Sequence, residues 1–212
     1  MRELKSDLFG TVWRGAEGGR EFVLRDTRGA RWWTAWFARS LCRREARALA
    51  QLDGLPGTPR LLAADRRMLR REWIEGRPMQ LAQPRNAEYF RAARALLARL
   101  HRQGIAHNDL AKEPNWLVTP TGLPALVDFQ LALVAPRRGR AFRALAREDI
   151  RHLLKRKRSY CPERLTARER RILATPAPAS RIWMATVKPA YTFVTRRLLG
   201  WADREGAGDR RF

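Results

Sequence analysis

The sequence predicts an α+β fold with two lobes: a small, strand-rich first lobe and a second lobe that is mainly helical. In the first third of the chain, short apolar runs separated by turn residues flank one helical segment. A long amphipathic segment follows near the middle, and the last third has mainly helical periodicity. A chain of 212 residues with 45% hydrophobic content can bury a core of ordinary size.

The first lobe is predicted over residues 1–76, with the element order ββαββ. Gly18 and Gly19 mark the reversal of its opening hairpin. Its elements are predicted as a hairpin over 8–26, a helix over 30–52 and strands over 60–64 and 68–74.

The second lobe is predicted over residues 77–212, after a change of composition at 77–85. A short hairpin is expected in it, with a turn at Thr119–Gly122 between strands 116–118 and 125–128. Its helices are predicted over 86–103, 142–157, 166–173 and 181–201, the third begun by a capping box and the last broken by Pro189.

The chain is strongly basic. It carries 44 Lys and Arg residues against 21 Asp and Glu, which gives a formal net charge of +23. A protein with this charge is attracted to polyanions such as nucleic acid, an anionic membrane face or a phosphorylated glycolipid. An arginine-favouring codon composition explains the excess of arginine equally well, so charge alone does not identify the partner.

Several features predict a cytoplasmic protein that can lie peripherally at the inner face of the membrane. The N-terminal residues MRELKSDLFG lack the apolar core of a signal peptide. The longest run without a charged residue, 114–127, is shorter than the ~20 residues that cross a bilayer. Cys42 and Cys161 fit neither a disulfide framework nor a metal site, and both are predicted to be reduced thiols.

The most informative segment is HNDLAKEPNWLV, residues 107–118, which is followed by Asp128 and Phe129. Phosphoryl transfer needs a carboxylate near the acceptor hydroxyl, oxygen ligands for Mg²⁺ and a cation on the nucleotide phosphates. Asp109 could supply the acceptor-side carboxylate, and Asn115 and Asp128 could supply metal ligands. The predicted hairpin between these last two residues would bring them together.

This loop and the later segment ALVDFQ resemble the H-x-D-L...N and D-F-G elements of the protein-kinase-like superfamily. Over roughly residues 8–158, the compact chain looks most similar to the small atypical bacterial branch that includes RIO-type and lipopolysaccharide core kinases. The resemblance implies a bilobal kinase-like fold that uses ATP and Mg²⁺. It also implies that Asp109 orients the acceptor, that Asn115 and Asp128 hold Mg²⁺, and that His107 braces the loop.

The lysine that kinases hold against the nucleotide phosphates has no counterpart in the expected strand, because no lysine lies between Lys5 and Lys112. Arg25 takes its place, and Glu45 is its expected partner because a carboxylate facing a core needs a cation. A salt bridge that only ties strand to helix is the alternative. The interval from Asp109 to Asn115 is one residue longer than in the kinase pattern, and the displaced Lys112 is predicted to reach the transferring phosphate.

The resemblance implies further nucleotide contacts in the first lobe. Backbone amides near Gly10 and Thr11 are expected to approach a phosphate, and Glu72 and Ile74 are expected at the level of adenine. Arg71 falls where an uncharged residue usually lines the pocket, so it is expected to disturb ordinary ATP binding. In the second lobe, Asp149 is expected either to brace the catalytic loop or to be a solvated charge.

Three functions follow as hypotheses. The first is an ATP-dependent atypical kinase that moves a γ-phosphate to a hydroxyl of a protein Ser/Thr or of a lipopolysaccharide-type sugar. The second is a non-catalytic kinase-like binding module at an anionic membrane surface, and the third, which rests on charge alone, is a nucleic-acid-binding protein.

Tryptophans among arginines suggest where such a protein would act. Trp32, Trp33 and Trp36 lie among arginines, and residues 181–201 repeat the mixture. This pattern suits an anionic membrane interface or single-stranded nucleic acid. Packing in a core is the ordinary alternative for each indole.

Overall fold

The computed structural model describes residues 1–175, and the predicted helix and aromatic segment over 181–201 lie outside them. Residues Met1–Pro162 form one compact unit, and the described residues from Glu163 onward belong to a second. Among them, helix α5 (Ala167–Ala174) is capped by Thr166 and Glu169 in the predicted capping box. The proposed lobe boundary at Gly76 and Arg77 falls within the first unit.

The first unit begins with a five-stranded antiparallel sheet. The order of its strands across the sheet is β1, β2, β3, β5, β4, and all four pairings are antiparallel. The strands are β1 (Arg2–Asp7), β2 (Gly10–Glu17), β3 (Arg20–Asp26), β4 (Leu61–Ala64) and β5 (Met68–Glu72). The fold class is the predicted α+β one.

The predicted element order ββαββ was wrong by one strand. β1 precedes the expected hairpin, and five of its six residues are exposed. Its sequence RELKSD has no apolar alternation, because an edge strand with both faces in solvent does not need one. β5 also ends at Glu72, so Ile74 lies in the linker rather than in the strand as predicted.

The first helix covers one face of this sheet, and three further α-helices belong to the same unit. Helix α1 begins at Ala35, later than predicted, and ends at Leu52; its C-cap, Asp53, has a left-handed backbone. Asn86 caps α3 by accepting a hydrogen bond from the amide of Glu88. The α-helices of this unit are α1 (Ala35–Leu52), α2 (Met79–Ala82), α3 (Ala87–Arg102) and α4 (Arg140–Tyr160).

Short strands carry the segment that contains the predicted catalytic loop. The predicted hairpin forms with its turn at Thr119–Gly122, where Gly122 has a φ of +76°. These strands are β6 (Arg77–Pro78), β7 (Ile105–Ala106), β8 (Trp116–Val118), β9 (Pro124–Leu126) and β10 (Leu133–Val134). β6, β8 and β9 form one sheet, and β7 pairs with β10.

One hydrophobic core joins the strand-rich and helical parts of this unit. Leu49 and Leu52 of α1 belong to the same buried cluster as Leu97 of α3, Trp116 of β8 and Phe129. The contact between α1 and the segment after β9 fixes the helix that carries Glu45 against the segment that carries Asp128. Elements far apart in the sequence are therefore held in a defined relation by apolar burial.

Within residues 1–175, no helix combines the length and the apolar character needed to cross a membrane. Cys42 and Cys161 are both buried. Burial raises the pKa of the Cys42 thiol to about 11, so this thiol is protonated at neutral pH.

Candidate active site

The segment His107–Asn115 is anchored at its start by one buried carboxylate. Asp149 of α4 accepts hydrogen bonds from the backbone amides of His107 (2.8 Å) and Asn108 (2.9 Å). The Nε2 atom of His101 lies 3.0 Å from the same carboxylate. Asp149 is therefore a brace of this loop and not a solvated charge, because its side chain is buried and bonded to the loop backbone.

His107 braces the loop from the other side. It is fully buried, and its Nε2 atom lies 3.0 Å from the carbonyl oxygen of Val127. Its ring also packs at 4.6 Å, between centroids, from the ring of Phe129. These contacts tie the start of the loop to the residues on both sides of Asp128, as expected of a structural histidine.

Asp109 and Asn115 meet across the loop. The amide nitrogen of Asn115 donates to the backbone carbonyl of Asp109 at 2.9 Å and to its carboxylate at 3.1 Å. These bonds fix the amide nitrogen toward Asp109, so the amide oxygen is the atom that could bind a metal. The two end residues of segment 109–115 are thus hydrogen-bonded to each other, although this segment is one residue longer than in the kinase pattern.

Lys112 forms an ion pair with Asp109. Its ammonium group is 3.0 Å from the Asp109 carboxylate. Burial raises the pKa of Asp109, whereas the ion pair with Lys112 and the bond from Asn115 lower it. The Lys112 side chain as a whole is 61% exposed, so this ion pair is open to solvent on the lysine side.

Asp128 follows β9 at a strained position. Its backbone is left-handed, with φ at +65°, a region that Asp and Asn tolerate better than most residues. The backbone amide of Val127 donates to the carbonyl of Asn115 at 3.1 Å, which brings the two predicted metal ligands to neighbouring positions. One carboxylate oxygen of Asp128, Oδ1, is buried and has no hydrogen-bond partner among residues 1–175.

This orphaned oxygen fits a divalent cation. A buried carboxylate oxygen without a partner is costly, and a metal ion would compensate it. Asp128 and the amide oxygen of Asn115 would hold Mg²⁺, with phosphate oxygens and water as the remaining ligands. Mg²⁺, when bound, would neutralise charge on the transferring phosphates. In the described part of the chain, no group of three or more His, Cys, Asp or Glu side chains forms a metal site.

Two arginines surround Glu45 on the inner face of the sheet. Its side chain is fully buried, and its two oxygens lie 3.3 Å from Nε of Arg25 and 3.2 Å from Nε of Arg71. Neither contact has the alignment of a hydrogen bond, and these oxygens have no hydrogen-bond partner among residues 1–175. Both contacts are therefore described as ion pairs.

Arg71 faces inward, toward Glu45. Arg71 and Val23 are paired in the β3 and β5 ladder, and Arg25 lies two residues from Val23, so both arginines share the face covered by α1. Burial lowers the pKa of Arg71, and the charges of Glu45 and Asp128 act against that shift. Because the sequence alone does not show that strand alternation turns Arg71 inward, its pairing with Glu45 was missed.

The glycines of the expected phosphate loop have structural explanations. A Cβ atom on Gly10 would lie 2.1 Å from the carbonyl oxygen of Asp26, and one on Gly15 would lie 2.5 Å from the ring of Phe22. The turn between β1 and β2 is short, and the amide of Phe9 donates to the Asp7 carboxylate at 2.8 Å. The side chain of Thr11 is 3.2 Å from that of Ser6. The phosphate role of Gly10 and Thr11 remains a prediction.

The linker after β5 is the expected place for adenine. The backbone amide of Glu72 donates to Arg60 and that of Trp73 donates to Glu21, so both are used within the sheet. The first backbone amide of the linker that could approach an adenine base is therefore that of Ile74. The Glu72 side chain is exposed on the outer face, opposite to Arg71. The roles of Glu72 and Ile74 stay predictions.

Two residues of α4 hold the lengthened part of the loop. Glu113 accepts from Arg156 at 2.6 Å and from the Tyr160 hydroxyl at 2.5 Å, and Arg156 also donates to the carbonyl of Ala111. Asp149, Arg156 and Tyr160 are spaced by seven and four residues, so they lie on one face of the helix. The same helix face therefore supports both ends of the loop.

The comparison with known families identifies the class of protein, a kinase-like phosphotransferase. The model of the phosphotransferase enzyme family (APH) matches residues 37–170, which is more than half of the chain, and the protein belongs to that family. The match includes Glu45, Arg71, the loop 107–115 and Asp128. A search of the curated proteins found no match to the chain.

Proposed function

We propose that the protein is an atypical kinase that transfers the γ-phosphate of ATP to an alcohol group, with Mg²⁺ as cofactor. The observation that carries the proposal is the buried, unpartnered oxygen of Asp128 next to the bonded pair Asp109 and Asn115. Family membership supports phosphotransfer in general. The three side chains supply the acceptor-side carboxylate and the oxygen ligands that this reaction needs.

In this proposal Asp109 orients the acceptor hydroxyl and takes its proton. Its raised pKa suits a general base, because a more basic carboxylate accepts a proton more readily. Asn115 holds that carboxylate in place through its amide nitrogen. Lys112 is proposed to leave Asp109 for the transferring phosphate when substrates are bound, since most of its side chain is exposed.

Arg25 and Arg71 are proposed to hold the nucleotide phosphates in place of the usual lysine. Two guanidinium groups share one carboxylate at Glu45, so the cluster keeps an excess positive charge that phosphate oxygens can match. Adenine is proposed to lie against the linker at Ile74, which follows Glu72. The first turn, near Gly10 and Thr11, is proposed to cover the phosphates.

The acceptor is proposed to be a protein Ser/Thr or a sugar hydroxyl of a lipopolysaccharide-type glycolipid, as in the RIO-type and lipopolysaccharide core kinases. The net charge of +23 favours an anionic acceptor or an acceptor at the cytoplasmic face of an anionic membrane. Labelled ATP offered to purified protein with separate membrane and soluble fractions tests this choice. Label should enter one fraction with the wild type and neither with Asp109→Asn.

The second candidate is a non-catalytic kinase-like binding module at an anionic membrane surface. It is favoured by the contacts that already occupy the Asp109 carboxylate, and by arginine in place of the phosphate-binding lysine. A thermal-shift titration separates the two candidates. Stabilisation by ATP with Mg²⁺ supports the kinase, whereas its absence, together with absent phosphate transfer, supports the module.

A nucleic-acid-binding role is the weakest candidate because only charge supports it. Oligonucleotide affinity that falls with salt concentration and shows no preference for sequence or strandedness would be the ordinary behaviour of a basic protein. Tight binding that survives physiological salt would reopen this possibility.

A further inference from the structure

A second cationic cluster lies outside the candidate active site, on the outer face of α1. It surrounds a cleft of about 280 Å³ between α1 and the turn that joins β4 to β5. The cleft is lined by Trp36, Arg39, Arg43, Arg66 and Arg67. We call these five residues the Trp–Arg cleft.

The Trp–Arg cleft concentrates like charges in a small volume. Four arginines share it, and among residues 1–175 no acidic side chain lines it. The carboxylate of Asp65 in the nearby turn accepts backbone hydrogen bonds from Arg67 and Met68. The buried Nε atom of Arg39 has no hydrogen-bond partner in the described residues. An anion in the cleft would relieve this repulsion and supply the missing acceptor.

Indoles next to the cleft are exposed to an unusual degree. Trp32 is 89% exposed and Trp36 is 73% exposed, whereas a tryptophan that only packs in a core would be largely covered. Trp33 and Phe37 are also exposed, at 45% and 44%. Several exposed aromatic side chains close together in the sequence and beside arginines are typical of a surface that meets another apolar phase.

The sequence of α1 separates this surface from the core of the protein. Trp36, Arg39, Arg43 and Arg47 recur every three or four residues and so form one stripe along the helix. The opposite face carries the buried residues, and the only acidic residue between 30 and 47, Glu45, is buried on it. The outward stripe is therefore aromatic at its first turn and purely cationic beyond it.

We propose that this face docks onto the anionic surface of a lipid bilayer, with a headgroup phosphate in the Trp–Arg cleft and Trp32 and Trp36 at headgroup depth. Arginines match lipid phosphates, and exposed indoles favour the interface between water and hydrocarbon. A cleft of this size suits one headgroup, whereas a single-stranded nucleic acid needs a groove that follows several nucleotides. The inference does not depend on the proposed phosphotransfer chemistry.

Vesicle co-sedimentation of the full chain tests the proposal. The vesicles are phosphatidylcholine alone, or phosphatidylcholine with about a third phosphatidylglycerol. The variant Arg43→Gln/Arg66→Gln/Arg67→Gln changes three exposed side chains. We expect it to weaken binding to the anionic vesicles about 100-fold, because each arginine near an anionic surface contributes about fivefold to the affinity. Trp32→Ser/Trp36→Ser should also weaken binding at unchanged net charge.

The matched control is Arg91→Gln/Arg99→Gln/Arg102→Gln, which removes the same charge from exposed positions of α3. It should bind the anionic vesicles within a few-fold of the wild type. Equal losses in the two triple variants, or no loss in the tryptophan variant, would overturn the proposal. Preferential binding of single-stranded oligonucleotide that the cleft variant alone abolishes would also overturn it, in favour of nucleic acid.

The kinase proposal can fail without affecting this one. Asp128→Asn should bind anionic vesicles as the wild type does, because Asp128 lies outside the Trp–Arg cleft. Vesicle binding without phosphate transfer would support the docking surface and sink the kinase proposal. Phosphate transfer without vesicle binding would do the reverse.

Discussion

The Nε atom of Arg71 lies 3.2 Å from a carboxylate oxygen of Glu45, a side chain that is fully buried beneath the sheet. Arg25 approaches the other oxygen at 3.3 Å, so one carboxylate serves two cations. In kinases, one lysine and one glutamate form the corresponding pair. The two arginines therefore give this site one more positive charge than that arrangement.

Glu45→Gln should strongly destabilise the fold. It would leave Arg71 buried with no carboxylate at the sheet, and breaking a buried pair from one side typically costs about 3–5 kcal/mol. Arg71→Met should cost less, since Glu45 would keep Arg25. The measurement is urea unfolding of each variant, compared through the free energy of unfolding.

The control for this comparison is Glu17→Gln. Glu17 pairs with Arg70 on the outer face of the same sheet, where the carboxylate is 70% exposed. Its loss should change stability little, because exposed ion pairs contribute little. Equal effects of Glu45→Gln and Glu17→Gln would contradict the buried triad.

Asp128→Asn should abolish most phosphate transfer while leaving the fold intact. Asn tolerates the left-handed backbone at this position, so the turn is kept, but the full negative charge toward the cation is lost. A metal contact worth several kcal/mol implies a fall in kcat of about 100-fold or more. Transfer of label from ATP and the Mg²⁺ concentration for half-maximal rate are the readouts. A variant with full activity at ordinary Mg²⁺ would remove Asp128 from the metal site.

The sequence predicted the part of the site that is local in the chain. The loop 107–115, the turn at Thr119–Gly122 and Asp128 lie within 22 residues, so one hairpin brings them together. The pairing of Arg25 with Glu45 could also be anticipated, because a glutamate in an apolar arc needs a cation. The hairpin and the Arg25–Glu45 pair required helix and strand periodicity, whereas the choice of loop 107–115 and Asp128 depended on their resemblance to kinase motifs.

The sequence did not predict contacts that depend on the register of distant strands or helices. Arg71 turns inward because β5 pairs with β3 in a specific register, and a shift of one residue would turn it outward. Strand β1 was missed because its exposed residues have no apolar alternation. The support of Glu113 by α4 was missed because those residues are more than 40 positions apart.

Lys112→Met should move the acidic limb of the rate profile to higher pH. Burial raises the pKa of Asp109, and Lys112 opposes that shift by its charge and its hydrogen bond. A general base must be deprotonated, so its activity is lost as pH falls through its folded-state pKa. Without the lysine that pKa rises further, and activity is lost at a higher pH. The measurement is kcat/KM against pH.

The control is Lys5→Met, which removes an exposed lysine that is also 3.0 Å from an aspartate, Asp7 in β1. Its profile should coincide with that of the wild type. If Lys112 also contacts the transferring phosphate, Lys112→Met should lower the plateau rate in addition to moving the acidic limb. If neither the acidic limb nor the plateau rate changes, Lys112 neither tunes the pKa of Asp109 nor contacts the phosphate.

Arg156→Met should lower kcat with little change in the KM for ATP. Arg156 contacts Glu113 and the carbonyl of Ala111, and these contacts support the part of the loop that is one residue longer than the kinase pattern. Asn115 follows Glu113 by two residues, so a looser segment would misplace its amide oxygen. Misplacement by about 1 Å can cost on the order of 100-fold in rate.

Arg158→Met is the matched control, because it removes the same charge from an exposed position of the same helix, two residues away. It should leave kcat unchanged. Tyr160→Phe removes one hydrogen bond to Glu113 and should have a smaller effect than Arg156→Met, in the same direction. If Arg156→Met instead lowers only the free energy of unfolding and keeps kcat, the helix stabilises the fold without positioning the loop.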